Sequence, residues 1–572
     1  MNEKEYELWL HEAKNDPELM KGLKAQSKEE REEAFTGELT FGTGGMRGIM
    51  GYGPNRMSAY TLRKANYGLA KFLLKNYKSD AYRGVVISHD GRLNSRNFAF
   101  ECASVLGAFG IKSFLFDSLR TTPELSFSVR YVNAIAGIMV TASHNPPKYN
   151  GYKIYNEDGC QYTPFYADQI IDEIKQIDNI FKIPRLSIED LENMGLIKIL
   201  SNDVDRAFLD ISKTVLLRPN DEKKIKLVYT PLHGCGNPTV RDALVENGFD
   251  VTCVEKQMVH DPSFKTVKSP NPEDPRAFEL ASELGHKIKA DLLLATDPDA
   301  DRVGIGVYNG TDYVYLSGNQ TGALLVYYRL NTMKELGILP KKGKFFDTVV
   351  TSDLAAKIAK SFGYSRIQTL TGFKYIGEQA KLLEGTDEAY IFGYEESFGY
   401  IIKDYVRDKD SIQSCLAISE MANYYLNKGK NLCQVLDEIY DKYGYFKEFT
   451  RSTYFEGVEG PKTMANLMEY FRNEEITQIG GLKVLLKEDY ETQVGYQLNT
   501  GKNYQIKLPK SNVLKFYLEN ECWVVLRPSG TEPKLKIYFE VKTPSEAESE
   551  ALLLKLDGEV FDKIKELSGI DG

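Results

Sequence analysis

Asp297-Pro-Asp299-Ala-Asp301-Arg302 sets three carboxylates at alternate positions and follows them with a guanidinium. In an extended loop the three could converge on one side. Two carboxylates about 4 Å apart repel by roughly 4 kcal/mol at an effective dielectric of 20. Such a trio needs a cation or must spread apart, and hard oxygen ligands suit Mg²⁺. A solvated acidic turn is the plainer alternative for the same spacing. An EF-hand is excluded, because Arg302 stands where that loop needs glycine and Tyr308 where it needs glutamate. Arg302 beside the carboxylates suits a clamp for a phosphate oxygen that the metal also binds.

Three further stretches carry complementary groups. In Thr141-Ala-Ser143-His144-Asn145-Pro146-Pro147, a serine leaves an apolar run and enters a loop stiffened by two prolines. Opposite a metal site its hydroxyl could accept a phosphoryl group and split one transfer into two; taken alone, a Ser-His pair is a turn or helix cap. Glu395 and Ser397 in Gly393-Tyr-Glu395-Glu396-Ser397 lie two apart, on one side of an extended segment. They offer an acceptor and a donor to neighbouring sugar hydroxyls. Arg527-Pro-Ser529-Gly530-Thr531 combines a guanidinium, two hydroxyls and backbone amides near a glycine, the makings of an anion nest. Together the four supply a nucleophile, a metal cage, a hydroxyl reader and an anion clamp, a set suited to moving a phosphoryl group on a sugar.

Elements must bring these loops together. Strands are predicted over 83–90, 111–116 and 135–140, with a helix over 95–109. A second unit runs through strands 225–230, 249–254 and 291–295 with helices 238–247 and 277–286. A third has strands 345–350, 366–370 and 389–392 with a helix over 353–361. Short apolar strands alternating with helices indicate βαβ units and largely parallel sheets. Three of the signature loops follow a strand, and in open α/β sheets ligands collect at the carboxyl ends of strands. Asp16-Pro17 and the Ser27/Glu30 capping box mark helices in the first forty residues, before a glycine-dense loop over 41–48. Near the end, Leu535, Ile537 and Phe539 alternate with polar residues as in a half-exposed strand, and 545–567 reads as a closing amphipathic helix. The fold class is therefore α/β: three similar mixed α/β domains and a smaller C-terminal α+β domain. Boundaries are expected near 205, 320 and 445, giving domains 1–205, 206–320, 321–445 and 446–572.

With Ser143-His-Asn-Pro, Asp297-x-Asp-x-Asp-Arg302, Gly393-x-Glu-Glu-Ser397 and Arg527-Pro-Ser-Gly-Thr531 in this order, nearly the whole chain resembles the α-D-phosphohexomutase superfamily of phosphoglucomutases, phosphomannomutases and relatives. The resemblance implies a heart-shaped four-domain enzyme that interconverts glucose 1-phosphate and glucose 6-phosphate. It implies a phosphoserine enzyme and a glucose 1,6-bisphosphate intermediate, with mannose or pentose phosphates as alternative substrates. Ser143 would be the phosphoserine, and Asp297, Asp299 and Asp301 would ligate Mg²⁺ together with its phosphate. Glu395 and Ser397 would contact sugar O3 and O4, while Arg527, Ser529, Gly530 and Thr531 would hold the non-reacting phosphate. Arg47 looks like the family's early-loop arginine, Lys153 and Lys374 are acid/base candidates, and His144 follows the serine as in many members. The early loop reads Gly44-Gly-Met-Arg-Gly48 where many phosphomannomutases have Tyr-Asp-Ile-Arg-Gly. With Thr371-Gly-Phe-Lys374 and Leu316-Ser-Gly-Asn-Gln320, it resembles the phosphoglucomutase and phosphopentomutase-like branch.

Composition is that of an ordinary soluble globular protein. The 572 residues are 42% hydrophobic and 27% charged, and the net charge of −9 argues against nucleic acid or anionic membrane as main partner. The start, Met-Asn-Glu-Lys-Glu-Tyr, has no basic and apolar leader, and no apolar run approaches the ~20 residues that span a bilayer. Seven scattered cysteines without a Cys-x-x-Cys suit reduced thiols. A cytoplasmic enzyme acting on a small sugar phosphate, as monomer or homodimer, is expected.

Overall fold

The computed structural model describes residues 1–40, 45–455, 459–529 and 534–569. It divides into two compact units: Met1–Thr321 with Thr332–Gly343 and Gly372–Leu432, and Gly322–Asn331 with Lys344–Thr371 and Cys433–Gly572.

In the first unit, the leading residues form helices Glu3–Glu12, Pro17–Ala25 and Lys28–Ala34. The second starts where Asp16 accepts the Leu19 amide, and the third carries the Ser27/Glu30 capping box. Next comes a sheet in which Val85–His89 is flanked by parallel strands Ser113–Phe116 and Ala136–Val140, with Ile197–Leu200 parallel beyond the former. Tyr149–Asn156 then returns antiparallel to Ala136–Val140, and Gly45–Ile49 pairs antiparallel with it. The glycine-dense stretch is thus partly strand, and Phe41 to Gly44 lie outside the described residues. Helices Ala59–Tyr77 and Ser95–Ala108 bury Leu62, Leu69, Cys102 and Leu106 against Val85, Ile87, Ile138 and Val140. At about 1.5–3 kcal/mol per buried aliphatic side chain, this contact fixes where each strand ends.

The second sheet repeats the plan. Lys226–Thr230 lies between parallel strands Asp250–Cys253 and Leu292–Thr296. Val303–Tyr308 returns antiparallel to Leu292–Thr296 and is followed by Tyr313–Leu316. Ala136–Val140 and Leu292–Thr296 therefore occupy equivalent places beside a central strand, so the loops that follow them are presented alike. The central strands also end alike: Asp90 Oδ1 accepts the Arg92 amide at 2.9 Å, and Thr230 Oγ1 accepts the Leu232 amide at 3.1 Å. The hairpin Ala389–Glu395/Gly399–Ile401 and the helix Ser411–Asn427 complete the site-bearing part of this unit.

In the second unit, Gly343–Thr348 runs parallel to Ser365–Thr369, joined through the helix Asp353–Ser361. Thr348 Oγ1 accepts the Val350 amide at 3.4 Å, a third instance of that strand end. The C-terminal residues build an antiparallel sheet in which Trp523–Pro528 lies between Leu514–Leu518 and Lys534–Thr543. Helices Gly460–Asn473 and Glu546–Ser568 cover it through Leu467, Phe471, Leu556 and Ile564. Lys534–Thr543 is buried more deeply than its alternation suggests, since Tyr538 and Glu540 on the polar face are also buried. Glu540 accepts the Trp523 indole N–H at 2.8 Å and the Asp353 amide at 3.1 Å, which offsets its burial. Among the described residues, no helix is long and apolar enough to cross a membrane.

Candidate active site

Ser143 sits three residues beyond the buried strand Ala136–Val140, in a turn made by side chains as much as by backbone. Thr141 Oγ1 accepts the Ser143 amide at 2.8 Å and donates to Asp90 Oδ2 at 2.7 Å. Ser143 has φ 51°, a left-handed conformation that costs an L-residue about 1–2 kcal/mol and persists only when its surroundings over-determine it. One such constraint is Gly151, where a Cβ would lie 2.4 Å from the Thr141 carbonyl oxygen. The outcome is a serine hydroxyl donating to Asp297 Oδ2 at 2.7 Å, with His144 Nδ1 at 3.3 Å.

The acidic loop follows Leu292–Thr296 as a tight turn and not as the extended segment expected. The Ala300 amide bonds the Asp297 carbonyl, Ala300 has φ 55°, and Asp297 Oδ1 accepts the amides of Asp301 and Arg302 at 3.1 Å each. This folding brings one oxygen of each of Asp297, Asp299 and Asp301 within 4.8 Å of the others, all three residues being buried. Other groups engage some of their oxygens: Asp299 Oδ2 accepts from Thr122 Oγ1 at 2.8 Å and Lys153 Nζ at 2.7 Å. Asp301 Oδ2 lies 3.3 Å from Lys153 Nζ and 3.2 Å from Lys409 Nζ. Asp299 Oδ1 and Asp301 Oδ1 are buried without a hydrogen-bond partner. Two orphaned anionic oxygens beside Asp297 fit a hard divalent cation, which would satisfy them.

Electrostatics distinguish the three acids. Burial, then the charges of Asp301 and Asp299, push the Asp297 carboxyl well above the usual range. Burial acts the same way on Asp299, but the Lys153 ammonium overrides it and holds that carboxyl below its ordinary value. Lys153 itself, pulled down by burial, is held above its ordinary value by Asp299 and Asp301. Burial, with Arg302 and Arg47 nearby, keeps His144 neutral far below its usual pKa. Arg302 pairs with Glu273, its Nε 3.7 Å from Asp301 Oδ1, and Arg47 Nη1 donates to Asn145 Oδ1 at 3.2 Å.

Glu395 and Ser397 do not share one side of an extended segment. Glu395 ends its strand, opposite Gly399, and Ser397 is the middle residue of the three-residue hairpin loop. Glu395 Oε1 accepts the Gly372 amide at 2.7 Å, at the start of the helix Phe373–Lys381. The loop is seated against Gly318, where a Cβ would come within 2.1 Å of the Glu396 carbonyl oxygen. Lys374 is buried in the first turn of its helix, where Cys160, Glu378 and Asp168 act on it. Arg527 and Ser529 lie in the second unit, where Arg527 Nη1 approaches Tyr538 Oη at 3.4 Å and the Ser529 amide bonds the Lys534 carbonyl. Gly530 and Thr531 lie outside the described residues.

Three contributors escape a motif reading. Lys409 comes from the charged run Arg407-Asp-Lys-Asp410, which is tied to the end of the strand Tyr149–Asn156 by Tyr155 Oη and Gln161 Nε2, each 2.9 Å from Asp408 Oδ2. The sole local signal is an alternating charge run set directly before the buried helix Ser411–Asn427. Thr122 opens the helix Thr122–Tyr131, and its amide also donates to the Asp299 carbonyl at 2.9 Å. Arg92 lies beneath the serine loop. Nothing in the sequence near these residues points to their distant partners.

Known proteins match this chain over most of its length. Models of phosphoglucomutase/phosphomannomutase α/β/α domains I, II and III match residues 38–181, 206–310 and 317–443, and that of the C-terminal domain matches 486–553. A Staphylococcus saprophyticus phosphoglucomutase is 38% identical over 538 residues, covering 94% of this chain and 96% of the relative. One from Staphylococcus epidermidis is 40% identical over 519 residues, covering 90% and 93%. In fold the chain resembles a putative phosphomannomutase from Thermus thermophilus, with TM-score 0.69, 21% identity, and coverage of 93% and 100%. It equally resembles the open form of a Paramecium phosphoglucomutase, parafusin, with TM-score 0.69, 18% identity, and coverage of 94% and 97%. The chain belongs to the phosphoglucomutase/phosphomannomutase family, within the α-D-phosphohexomutase superfamily.

Proposed function

We propose that the chain is a phosphoglucomutase, an isomerase-class phosphotransferase that interconverts glucose 1-phosphate and glucose 6-phosphate. The supporting observation is the Ser143 hydroxyl 2.7 Å from Asp297, within a buried triad, in a chain 38–40% identical to phosphoglucomutases. In this reading, phosphorylated Ser143 gives its phosphoryl group to the free hydroxyl of the sugar phosphate, forming glucose 1,6-bisphosphate. The bisphosphate turns over and returns its other phosphoryl group to the serine. Mg²⁺ held by Asp297, Asp299, Asp301 and the serine phosphate would supply positive charge to the phosphoryl oxygens.

The chain's own groups do the remainder. His144, whose Nδ1 lies 3.3 Å from the Ser143 hydroxyl, and Lys153 and Lys374 are the acid/base candidates. Arg302 and Arg47 bring cationic charge to the phosphoryl site, and Glu395 and Ser397 read sugar O3 and O4. Arg527, Ser529, Gly530 and Thr531 hold the non-reacting phosphate. The divisions near 205, 320 and 445, a cytoplasmic location, and a monomer or homodimer belong to the same proposal. Phosphorus NMR of glucose 1-phosphate with catalytic bisphosphate tests it: wild type interconverts the esters and Ser143→Ala does not. Full turnover by Ser143→Ala sinks the covalent route. Net release of inorganic phosphate by wild type makes the protein a phosphatase, and preference for mannose or pentose 1-phosphate moves it within the family.

A further inference from the structure

Beneath the nucleophile loop lies a buried cation that the chemistry above does not use. Arg92 Nη2 donates to the carbonyls of Ser143 and Asn145 at 2.5 Å each, and Nη1 to those of Pro146 and Tyr149 at 3.0 Å each. Four carbonyls from one seven-residue stretch thus converge on a single planar fork. Asp90 holds the fork in turn: its Oδ2 lies 3.2 Å from Arg92 Nε, and its Oδ1 accepts the Arg92 amide at 2.9 Å. The same Asp90 Oδ2 accepts from Thr141, whose hydroxyl oxygen receives the Ser143 amide. The Phe264 ring covers the guanidinium at 5.0 Å, and Arg92 is 3% exposed.

We propose that Arg92 is a positioning residue for Ser143: its guanidinium draws the loop carbonyls inward and so holds the left-handed serine with its hydroxyl toward Asp297. This rests on the reading of Ser143 as nucleophile. Arginine suits the task because its donors are fixed in a plane and it stays charged, whereas a lysine ammonium offers three donors from one point. Without the fork, all four carbonyls lose a charged donor, and although Pro146 keeps the Tyr149 amide at 3.0 Å, the loop is no longer drawn inward at Ser143 and Asn145. A displacement near 1 Å at a reacting atom is enough for about a 100-fold loss of rate. Arg92 touches no reacting atom, so its loss acts on the transfer step and leaves sugar-phosphate binding intact.

The test uses the full chain and the variants Arg92→Lys and Arg92→Ala. Intact mass spectrometry follows Ser143 phosphorylation by glucose 1,6-bisphosphate, calorimetry gives the Kd of glucose 6-phosphate, and circular dichroism reports folding. Both variants are expected to be folded, to phosphorylate Ser143 at least 50-fold more slowly than wild type, and to bind glucose 6-phosphate within about twofold of wild type. Millimolar guanidinium should restore Arg92→Ala at least fivefold and leave Arg92→Lys unchanged. Phosphorylation at the wild-type rate in folded Arg92→Lys overturns the proposal, as does a loss confined to Kd. Should Arg92→Ala not fold, Arg92→Lys decides alone. Failure of both to fold overturns it too, since Arg92 would then be a requirement of the fold. Wild type that lacks mutase activity but becomes phosphorylated on Ser143 refutes the function proposed above and leaves this inference open to the same variants.

Discussion

Replacing Lys409 with methionine keeps an unbranched stem close to that of lysine and removes a buried ammonium 3.2 Å from Asp301 Oδ2 and 3.1 Å from Asp408 Oδ1. Burial pulls this lysine down, yet Asp301, Asp408 and Glu395 hold it well above its ordinary value, so it is charged at neutral pH. Each contact is worth about 5 kcal/mol at an effective dielectric of 20, before the cost of desolvating the charges. Removing one partner of a buried pair costs about 3–5 kcal/mol net. Here Asp301 keeps Lys153, while Asp408 keeps Tyr155 and Gln161, so the lower end applies. At roughly 2 °C per kcal/mol for a large unit, Tm should fall by about 6 °C. The assay is differential scanning calorimetry in EDTA, with Lys342→Met as control because the Lys342–Asp387 pair is exposed and should matter little. Mg²⁺ should narrow the deficit, since a cation in the cage offsets part of the charge on Asp301. A Lys409→Met melting temperature within 1 °C of the control in EDTA refutes the argument.

Two smaller perturbations test the hairpin loop at Ser397 and the buried Lys374. Gly318→Ala sets a Cβ 2.1 Å from the Glu396 carbonyl oxygen and 3.0 Å from the Phe398 amide. Neither backbone group can yield without moving the loop, so kcat/KM should fall about 10- to 100-fold, and an unchanged value would show that the loop does not read substrate. Burial pushes the Lys374 amine down to about 8, against 10.5 in the unfolded chain. Between those pH values the unfolded chain binds the extra proton, so wild-type stability should rise with pH by up to about 3 kcal/mol. Lys374→Met should melt above wild type at pH 7, and the two should converge toward pH 10.5. A gap that widens with pH has the wrong sign.

How far the sequence could be read depended on the distance over which each interaction acts. Ser143 and the acidic triad stand out because their groups are neighbours along the chain and follow strands whose apolar runs announce them. The three-fold strand rhythm is likewise a local signal. Lys409, Thr122 and Arg92 act on partners far off in sequence, Lys409 on Asp301 and Thr122 on Asp299. Only tertiary packing pairs them. Turn geometry was also hidden. The acidic loop looks extended because its carboxylates alternate, yet the left-handed Ala300 folds it back. The hairpin loop at Glu396 to Phe398 bends because Phe398 adopts φ 65°, a conformation that no residue type there advertises.

The bonds from Thr122, Ser143 and Lys153 to Asp297, Asp299 and Asp301 have a mechanical consequence. They rivet the sheet around Val85–His89 to the sheet around Lys226–Thr230 at the acidic triad. Prising those sheets apart would break two buried ion pairs of Lys153 and two hydroxyl–carboxylate bonds at once, so Ser143 and the acidic triad move together. If the proposed bisphosphate turns over, the room it needs cannot be made by opening a seam between them.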